Sequence, residues 1–375
     1  MPPMAAESPA DGPPLEAIES VFAVTEIHRS ADKLVYVGQP RVSPDAVTQE
    51  LWPTFHDAGY ELELRGARGR VALVAEPQSL GVDGIPWKHI GLFVATVLST
   101  LFAGTFWYHI DPFAEPAALL RAWPFSAAIL FVLGVHEMGH YVASRYHRVQ
   151  ASLPYFIPIP TLIGTLGAVI KMNGRMPSRK ALFDIGVAGP LAGLVATVTV
   201  TTVGLHMDPI HAPAAVVQSP DAVQLHLGFP PLLEGLAALF DQPLYRGDPT
   251  TMVNPVVIGG WVGMFVTLLN LIPVGQLDGG HILRAMIGPD QETVGALVPA
   301  ALLGLAGYLY FLTDHTGQAA SVWILWAVLT TLLAIAGPAK PFVEERLDSR
   351  RRVLGALTFG LGTLCFTPVP IEIVG

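Results

Sequence analysis

Long apolar segments, separated by shorter polar ones, dominate the chain from about residue 89 onwards. Such segments predict membrane-spanning helices, because about 20 apolar residues are needed to cross the hydrocarbon core of a bilayer. A further apolar segment, Val353–Thr367, is short and rich in glycine, and its pattern fits a seventh span, a re-entrant segment or an interfacial helix. The six predicted spans are His89–Ile110, Phe125–Ser144, Ile185–Leu205, Met252–Ile272, Thr293–Thr313 and Gly317–Gly337.

The residues before the first span have a more polar pattern. Residues 1–18 are rich in proline and alanine and predict a disordered tail. Residues 19–76 contain short segments of alternating apolar and polar side chains, which favour a small α+β domain, and residues 77–88 are a linker with glycine and proline. This domain contains no catalytic set of residues, so we expect it to have a regulatory or docking role. Its predicted elements are strands at Lys33–Gly38, Tyr60–Arg65 and Arg70–Ala75 and a helix at Ser43–Ala58.

The composition supports a polytopic membrane protein. Of the 375 residues, 51% are hydrophobic and 14% are charged, and the mean hydropathy is +0.50, which is typical of a chain that crosses the bilayer several times. The net charge of -9 comes without a basic stripe, which argues against nucleic-acid binding. The single cysteine, Cys365, excludes an intramolecular disulfide and a cysteine-rich metal site. We therefore predict a mainly α-helical membrane core at residues 89–340, followed by a basic segment and an apolar stretch at residues 341–375.

The distribution of charge predicts the orientation in the membrane. The connection from Arg145 to Lys180 contains six basic residues and no acidic one, whereas the loop from His206 to Thr251 contains five acidic residues and one arginine. The positive-inside rule therefore assigns the first connection to the cytoplasmic side and the second to the outside. The basic cluster Arg350–Arg352 falls inside as well. The expected location is the cell membrane, with a cytoplasmic N-terminal domain.

The most informative motif is His136-Glu137-Met138-Gly139-His140, near the end of the second span. On a helix, His136 and His140 lie one turn apart on one face and can bind one metal ion. Glu137 lies beside them, where it can polarise water and move a proton. This is the H-E-x-x-H pattern of zinc hydrolases. The alternative, two histidines that face a neighbouring helix, is disfavoured because polar groups in hydrocarbon are costly and usually functional.

The position of the motif predicts a metal inside the membrane. His136 lies about eleven residues into the second span, roughly 16 Å from its outer end at 1.5 Å per residue. Since the hydrocarbon core is about 30 Å thick, this depth is past the midplane towards the cytosol. Water must then reach the metal through cavities lined by protein.

Two histidines leave a catalytic zinc site short of one protein ligand, because such sites use three and keep one position open. Asp278, at a similar predicted depth, is the best candidate. The alternatives are that Asp278 is an interfacial acid that caps a helix, or that His281 is the ligand. Asn270, about two turns deeper, could donate a hydrogen bond to a scissile carbonyl. Its alternative role is a contact between helices.

The segment from Leu153 to Gly174 is apolar but interrupted by proline and glycine, so it predicts a membrane-embedded loop or hairpin beside the metal. Non-helical backbone at this depth is tolerated only where protein or a cavity covers it. The part from Gly164 through Gly167 to Lys171 looks extended, and a strand edge there could hold an unwound substrate by strand addition. Gly164 and Gly167 are therefore candidate substrate-binding positions.

Three motifs together resemble the site-2 proteases, which are intramembrane zinc metalloproteases. The resemblance covers roughly residues 90–337 and implies that His136, His140 and Asp278 bind Zn²⁺ and that Glu137 is the catalytic acid/base. It also implies membrane protein substrates, cleaved within or near a transmembrane segment in the bilayer. The chain has no insertion long enough for a PDZ domain or a CBS pair, so substrate selection stays open. The motifs are His136-Glu137-Met-Gly-His140, Ala188-Gly189-Pro190, and Asn270-Leu-Ile-Pro273 followed by Leu277-Asp278-Gly279.

Two other classes of protein could carry metal-binding side chains within a membrane. A membrane metal transporter also places histidine and aspartate in helices, but it has no need of Glu137 beside a cavity, and it would have several acid/histidine pairs along one path. The sequence contains one such cluster. A catalytically inactive membrane chaperone would not need the intact set of histidines, glutamate and aspartate. An intramembrane zinc protease is therefore the predicted function.

Overall fold

The computed structural model describes residues 12–30, 33–67, 70–78, 84–173, 176–213, 224–245, 248, 250–313 and 317–374. Residues 1–11 of the predicted tail and 79–83 of the predicted linker lie outside these residues, as do three of the charged residues used for the orientation, Arg175, Asp221 and Arg246. Contacts divide the chain into two units, Met1–Val82 with Arg148–Gln150, and Asp83–His147 with Ala151–Gly375.

The first unit contains an antiparallel sheet in the order β1–β2–β4–β3 and a helix, α2, that contacts strand β3. Helix α2 begins as predicted, because Ser43 accepts a hydrogen bond from the Ala46 N–H and Pro44 occupies the first position. Strand β1 was not predicted, since Phe22 is its only buried residue and it has no alternating apolar pattern. The elements are α1 Leu15–Glu19, β1 Phe22–Ser30, β2 Lys33–Pro40, α2 Pro44–Asp57, β3 Tyr60–Ala67 and β4 Arg70–Pro77.

The remainder of the chain is mainly helical, with short strands between the helices. The helices are α3 Trp87–Trp107, α4 Trp123–Tyr146, α5 Arg179–His206, α6 Pro231–Leu239, α7 Pro255–Asn270, α8 Asp278–Ile287, α9 Gln291–Leu312, α10 Gly317–Ala336 and α11 Ser349–Thr363. The strands are β5 Gln150–Ala151, β6 Tyr155–Pro158, β7 Thr165–Val169, β8 Met172–Asn173, β9 Met176–Ser178, β10 Ile210–His211, β11 Gln224–Leu227, β12 Thr251–Met252, β13 Pro341–Val343 and β14 Ile371–Val374.

Within the described residues, five helical segments are long and apolar enough to cross a membrane. The protein is thus a mainly helical membrane protein. Each of the six predicted spans contains a helix, but α7 has only 16 residues. It is shorter than predicted because Asn254 caps its start with a hydrogen bond from the Val256 N–H, and because Pro273 follows its end. The five segments are Trp87–Trp107, Pro116–Tyr146, Arg179–His206, Asp278–Leu312 and Gly317–Ala336.

Helices α4, α5 and α7 pack closely around small residues. A Cβ atom on Gly139 of α4 would lie 2.5 Å from the carbonyl oxygen of Ala188 on α5, and one on Gly260 of α7 would overlap the hydroxyl of Thr201 on α5. Such close contacts hold helices together in lipid, because burying an apolar side chain between helices gives little hydrophobic stabilisation when the lipid tails are themselves apolar. The motif-bearing face of α4 therefore lies directly against α5.

Helix α11 and the chain that follows it run along the bundle from one end to the other. At its start, Arg351 contacts Asp184, which lies near the beginning of α5. After its end, β14 pairs antiparallel with β11, which lies in the loop between α5 and α7 at the opposite end of those helices. This path differs from that of an interfacial helix, which would keep both ends on one side.

Candidate active site

Helix α4 brings His136, Glu137 and His140 together in the interior. All three side chains are buried, with exposed fractions of 3%, 7% and 6%. The Nε2 atoms of His136 and His140 are 3.3 Å apart. The one-turn spacing in the sequence therefore places both imidazoles on one face, as predicted.

Asp278, the first residue of α8, approaches both imidazoles from another helix. Its Oδ2 atom lies 3.3 Å from Nε2 of His136, and its Oδ1 atom lies 3.2 Å from Nε2 of His140. A tight turn after α7 makes this possible, with Gly275 at a φ of 51°. A Cβ on Gly279 or Gly280 would overlap backbone carbonyl oxygens of this turn, so the close approach requires glycine.

The three side chains fit a tetrahedral metal ion. Zinc binds imidazole nitrogen and carboxylate oxygen at about 2.0–2.2 Å, which puts tetrahedral ligands about 3.3–3.5 Å apart. The observed separations of 3.2 and 3.3 Å are close to this requirement. Among the described residues, this is the one group of three or more such side chains whose ligand atoms lie within 4.8 Å of one another.

The orientation of His140 suits a metal ligand. Its Nδ1 atom lies 2.8 Å from the carbonyl oxygen of Ile185 on α5. A carbonyl can only accept, so Nδ1 carries the proton and Nε2 keeps its lone pair for the cluster. Hydrogen bonds of this kind set the tautomer and the ring orientation of histidines that bind metals.

Glu137 lies outside the group of three but next to it. Its carboxylate accepts a hydrogen bond from the backbone of Ile170, just after strand β7. A carboxylate held beside a cluster that fits a metal ion, and close to an extended backbone, is well placed to exchange a proton with water.

Asn270, the last residue of α7, lies nearer to the cluster than the predicted two turns. Its Nδ2 atom is 3.3 Å from Nε2 of His136. The chain leaves the helix after Asn270 and folds back through the turn at Gly275, so Asn270 and Asp278 reach the same level rather than lying two turns apart. The rival ligand His281 is buried one turn further along α8, close to Gly186 of α5, and is not part of the group.

The proline-rich and glycine-rich segment after α4 forms a hairpin, in which β6 pairs antiparallel with β7. Its turn is fixed to α3, because Ser99 donates a hydrogen bond of 2.6 Å to the Gly164 carbonyl and Trp107 donates one of 2.8 Å to the Leu162 carbonyl. Gly164, with a φ of 78°, fits against the α3 backbone, whereas a Cβ on Gly167 would meet no atom within 4 Å. The substrate-binding roles of both glycines stay predictions.

Sequence reasoning missed the backbone groups of this site. The Ile185 carbonyl orients His140, and the Ile170 backbone contacts Glu137. Any residue can supply such groups, so no side-chain pattern marks them. The small residues at the start of the third span did carry a signal, since Gly189 and Gly193 of α5 lie against the two imidazoles.

Fold and site define a class of protein: a polytopic helical membrane protein with a buried cluster of two histidines and one aspartate that fits a metal ion, and with a glutamate next to it. A model of peptidase family M50 matches residues 124–306. The chain belongs to this family, and the resemblance to the site-2 proteases is thereby confirmed. No solved structure matches the chain.

Plant proteins are among its relatives. The chain is 33% identical over 264 residues to "Probable zinc metalloprotease EGY1, chloroplastic" of Oryza sativa subsp. japonica, covering 69% of the chain and 42% of that protein. It is 29% identical over 306 residues to "Probable zinc metalloprotease EGY2, chloroplastic" of Arabidopsis thaliana, covering 80% and 52%. The match to the Arabidopsis thaliana EGY1 protein is 30% over 298 residues, covering 75% and 50%. The chain thus spans about half the length of the curated relatives it matches.

Replacement of Gly189 by alanine should disturb the metal centre. The added Cβ would overlap the His140 imidazole, and overpacking of a core typically costs about 1–3 kcal/mol. We expect a lower midpoint of thermal unfolding and less bound metal, measured by elemental analysis. Gly304→Ala is the matched control, because a Cβ there meets no atom within 4 Å. Wild-type metal content and thermal stability in Gly189→Ala would contradict this packing.

Proposed function

We propose that this protein is an intramembrane zinc endopeptidase that hydrolyses peptide bonds within or near transmembrane segments of membrane proteins. The observation that carries the proposal is the cluster of His136, His140 and Asp278, with separations of 3.2 and 3.3 Å, beside buried Glu137. Membership of peptidase family M50 supports it, as do the relatives whose names describe probable zinc metalloproteases.

His136, His140 and Asp278 are the proposed zinc ligands. When bound, zinc supplies a Lewis acid that polarises the scissile carbonyl and makes water more acidic. His140 keeps Nε2 directed at the cluster, because its Nδ1–H donates to the Ile185 carbonyl. Asp278 contributes a hard oxygen donor from a different helix, so the ligand set forms only when α8 packs correctly against α4.

Glu137 is the proposed acid/base. Its carboxylate takes a proton from the attacking water and later delivers it to the leaving amine. The Asn270 amide, 3.3 Å from Nε2 of His136, is close enough to donate a hydrogen bond to the substrate carbonyl as negative charge develops there.

Strand β7 is the proposed place where the substrate lies. Carbonyls of an intact helix are shielded and hydrogen-bonded, so the substrate must unwind, and an extended segment can add to a strand edge. Gly167 contributes an unobstructed surface, since a Cβ there meets no atom within 4 Å. Gly164 contributes through the shape of the hairpin, because it lies against α3.

We place the protein in the cell membrane, with six spans and with α11 as a seventh crossing. The N-terminal unit lies on the cytoplasmic side in this topology. The α4–α5 connection is basic and the α5–α7 loop is acidic, which supports this orientation. The word "chloroplastic" in the names of the plant relatives describes the location of those proteins. The expected partners are substrates with a transmembrane segment and the lipid bilayer itself, and the absence of a basic stripe in the sequence argues against nucleic acid.

The proposal is tested with purified protein in lipid bilayers and a transmembrane test substrate. Cleavage should stop when a chelator removes the metal and should return when zinc is added. Cleavage that continues in metal-free protein would overturn the zinc mechanism. Zinc flux into sealed vesicles without proteolysis would favour a transporter, which the single metal cluster within the described residues argues against.

The N-terminal unit is proposed to influence substrate choice rather than chemistry. No group of metal-binding side chains occurs among its described residues. We therefore expect a variant without residues 1–82 to cleave a permissive test substrate at a rate close to that of the full chain. Cleavage of a panel of substrates by both proteins measures the effect. Complete loss of activity in a folded, zinc-loaded truncation would contradict the assignment.

A further inference from the structure

The segment Pro341–Arg351, here called the clamp segment, lies beyond residues 124–306, which the family model matches. It follows α10 and leads into α11. It contacts both α5, which packs on the histidine-bearing helix α4, and α8, which begins with Asp278. The clamp segment thus links the two parts of the proposed zinc site.

A short parallel strand pair fixes the start of the clamp segment. Strand β13 pairs with β9, which ends directly before α5. Lys180, in the first turn of α5, forms an ion pair of 3.0 Å with Glu345. Together these contacts set the position of the clamp segment relative to α5.

Glu344 connects the clamp segment to α8. Its Oε1 atom lies 2.6 Å from Nη2 of Arg284. The Arg284 guanidinium is buried, with 6% of its side chain exposed, so its charge needs a partner. Since Arg284 lies on the same short helix as Asp278, Glu344 helps to determine where that helix sits.

Arg351 connects the clamp segment to α5. Its Nε and Nη2 atoms each lie 2.7 Å from one carboxylate oxygen of Asp184, a bidentate pair. Asp184 also lies 3.0 Å from Nε2 of His147, directly after α4. The next residue along α5, Ile185, accepts the hydrogen bond that orients His140.

We propose that Glu344 and Arg351 are positioning residues for zinc, an inference that rests on the proposed function. They hold α8 and α5 at the relative position in which Asp278 reaches the Nε2 atoms of His136 and His140. The tolerance is small, since ligand distances in metal sites must hold to about 0.2 Å. Because the carboxylate and the imidazoles come from different helices, a small shift between those helices weakens the site.

The test measures zinc affinity on the full-length protein in lipid nanodiscs, by competition between the metal-free protein and a chromophoric chelator. Glu344→Gln and Arg351→Gln should each weaken zinc binding about 10-fold, at the lower end of the loss seen for outer-shell partners. Arg351→Lys, which keeps the charge but not the bidentate contact, should weaken it less. Arg350→Gln is the matched control for Arg351→Gln, and Glu292→Gln is the matched control for Glu344→Gln. Both replaced side chains are exposed, so both control variants should bind zinc like the wild type.

A double variant distinguishes a direct link from general weakening. Asp184→Asn and Arg351→Gln both weaken the contact between these two residues, so the loss of zinc affinity in the double variant should be smaller than the sum of the two single losses. Wild-type zinc affinity in both Glu344→Gln and Arg351→Gln would overturn the inference. The inference would also be overturned if, across the variants, zinc affinity fell only as far as the thermal stability of the metal-free protein fell. If the wild-type protein itself binds no zinc, the proposed function fails, and this inference fails with it.

Discussion

Glu137→Gln is expected to give a folded protein that retains zinc but cleaves a transmembrane substrate about 10² to 10⁴ times more slowly than the wild type. The amide has nearly the same shape as the carboxylate, so the packing of the buried side chain should change little. What it lacks is the ability to accept a proton from water and return it to the leaving amine. Cleavage rate and zinc content, measured on the same purified sample, check both parts of this expectation.

The matched control for this substitution is Glu234→Gln on α6, where the glutamate is exposed. It removes the same charge far from the cluster, and its cleavage rate should equal that of the wild type. A rate above about a tenth of the wild-type value in Glu137→Gln would fall outside the loss expected for a missing general base. Glu137 would then have no role as the acid/base.

Replacement of the proposed ligands should lower the zinc content itself, whereas Glu137→Gln should leave it unchanged. The variant His136→Ala/His140→Ala is expected to contain no zinc after purification, because one carboxylate cannot hold the ion alone. Asp278→Asn should contain less zinc than the wild type and lose activity in parallel, since a neutral amide is a poorer ligand. Elemental analysis after dialysis against a weak chelator measures the metal content.

His281→Gln is the control for the ligand variants. This buried histidine lies one turn after Asp278 but outside the group of three, and glutamine keeps a polar side chain of similar volume against α5, so the zinc content should stay close to that of the wild type. Loss of zinc in His281→Gln at unchanged thermal stability would favour His281 as the third ligand. Full zinc occupancy in the double histidine variant would show that zinc binds elsewhere in the protein.

The sequence was most informative where function depends on spacing along one helix. His136 and His140 are four residues apart, and helical geometry alone brings them onto one face. The apolar segments likewise predicted the helices, because a span of the bilayer requires a minimum number of apolar residues. The depth of Asn270 was misjudged, because the tight turn at Gly275 folds the chain back so that Asn270 and Asp278 both reach the cluster.

Contacts between distant parts of the chain could not be predicted. Arg351 and Asp184 are 167 residues apart, and nothing in the local pattern of either residue identifies the other. The role of the Ile185 carbonyl in orienting His140 could not be predicted for a different reason, because every residue has a backbone carbonyl. Strand β1 escaped prediction because it lies at the edge of its sheet and buries little apolar surface.

The path of α11 has a consequence for biosynthesis. This helix is synthesised after the other described helices, has only 15 residues, and begins with arginines, so it is too short to insert as an independent span. It can dock only when α5 already offers Asp184 to Arg351. Zinc positioning by the proposed ion pairs is therefore completed after the other helices have entered the membrane.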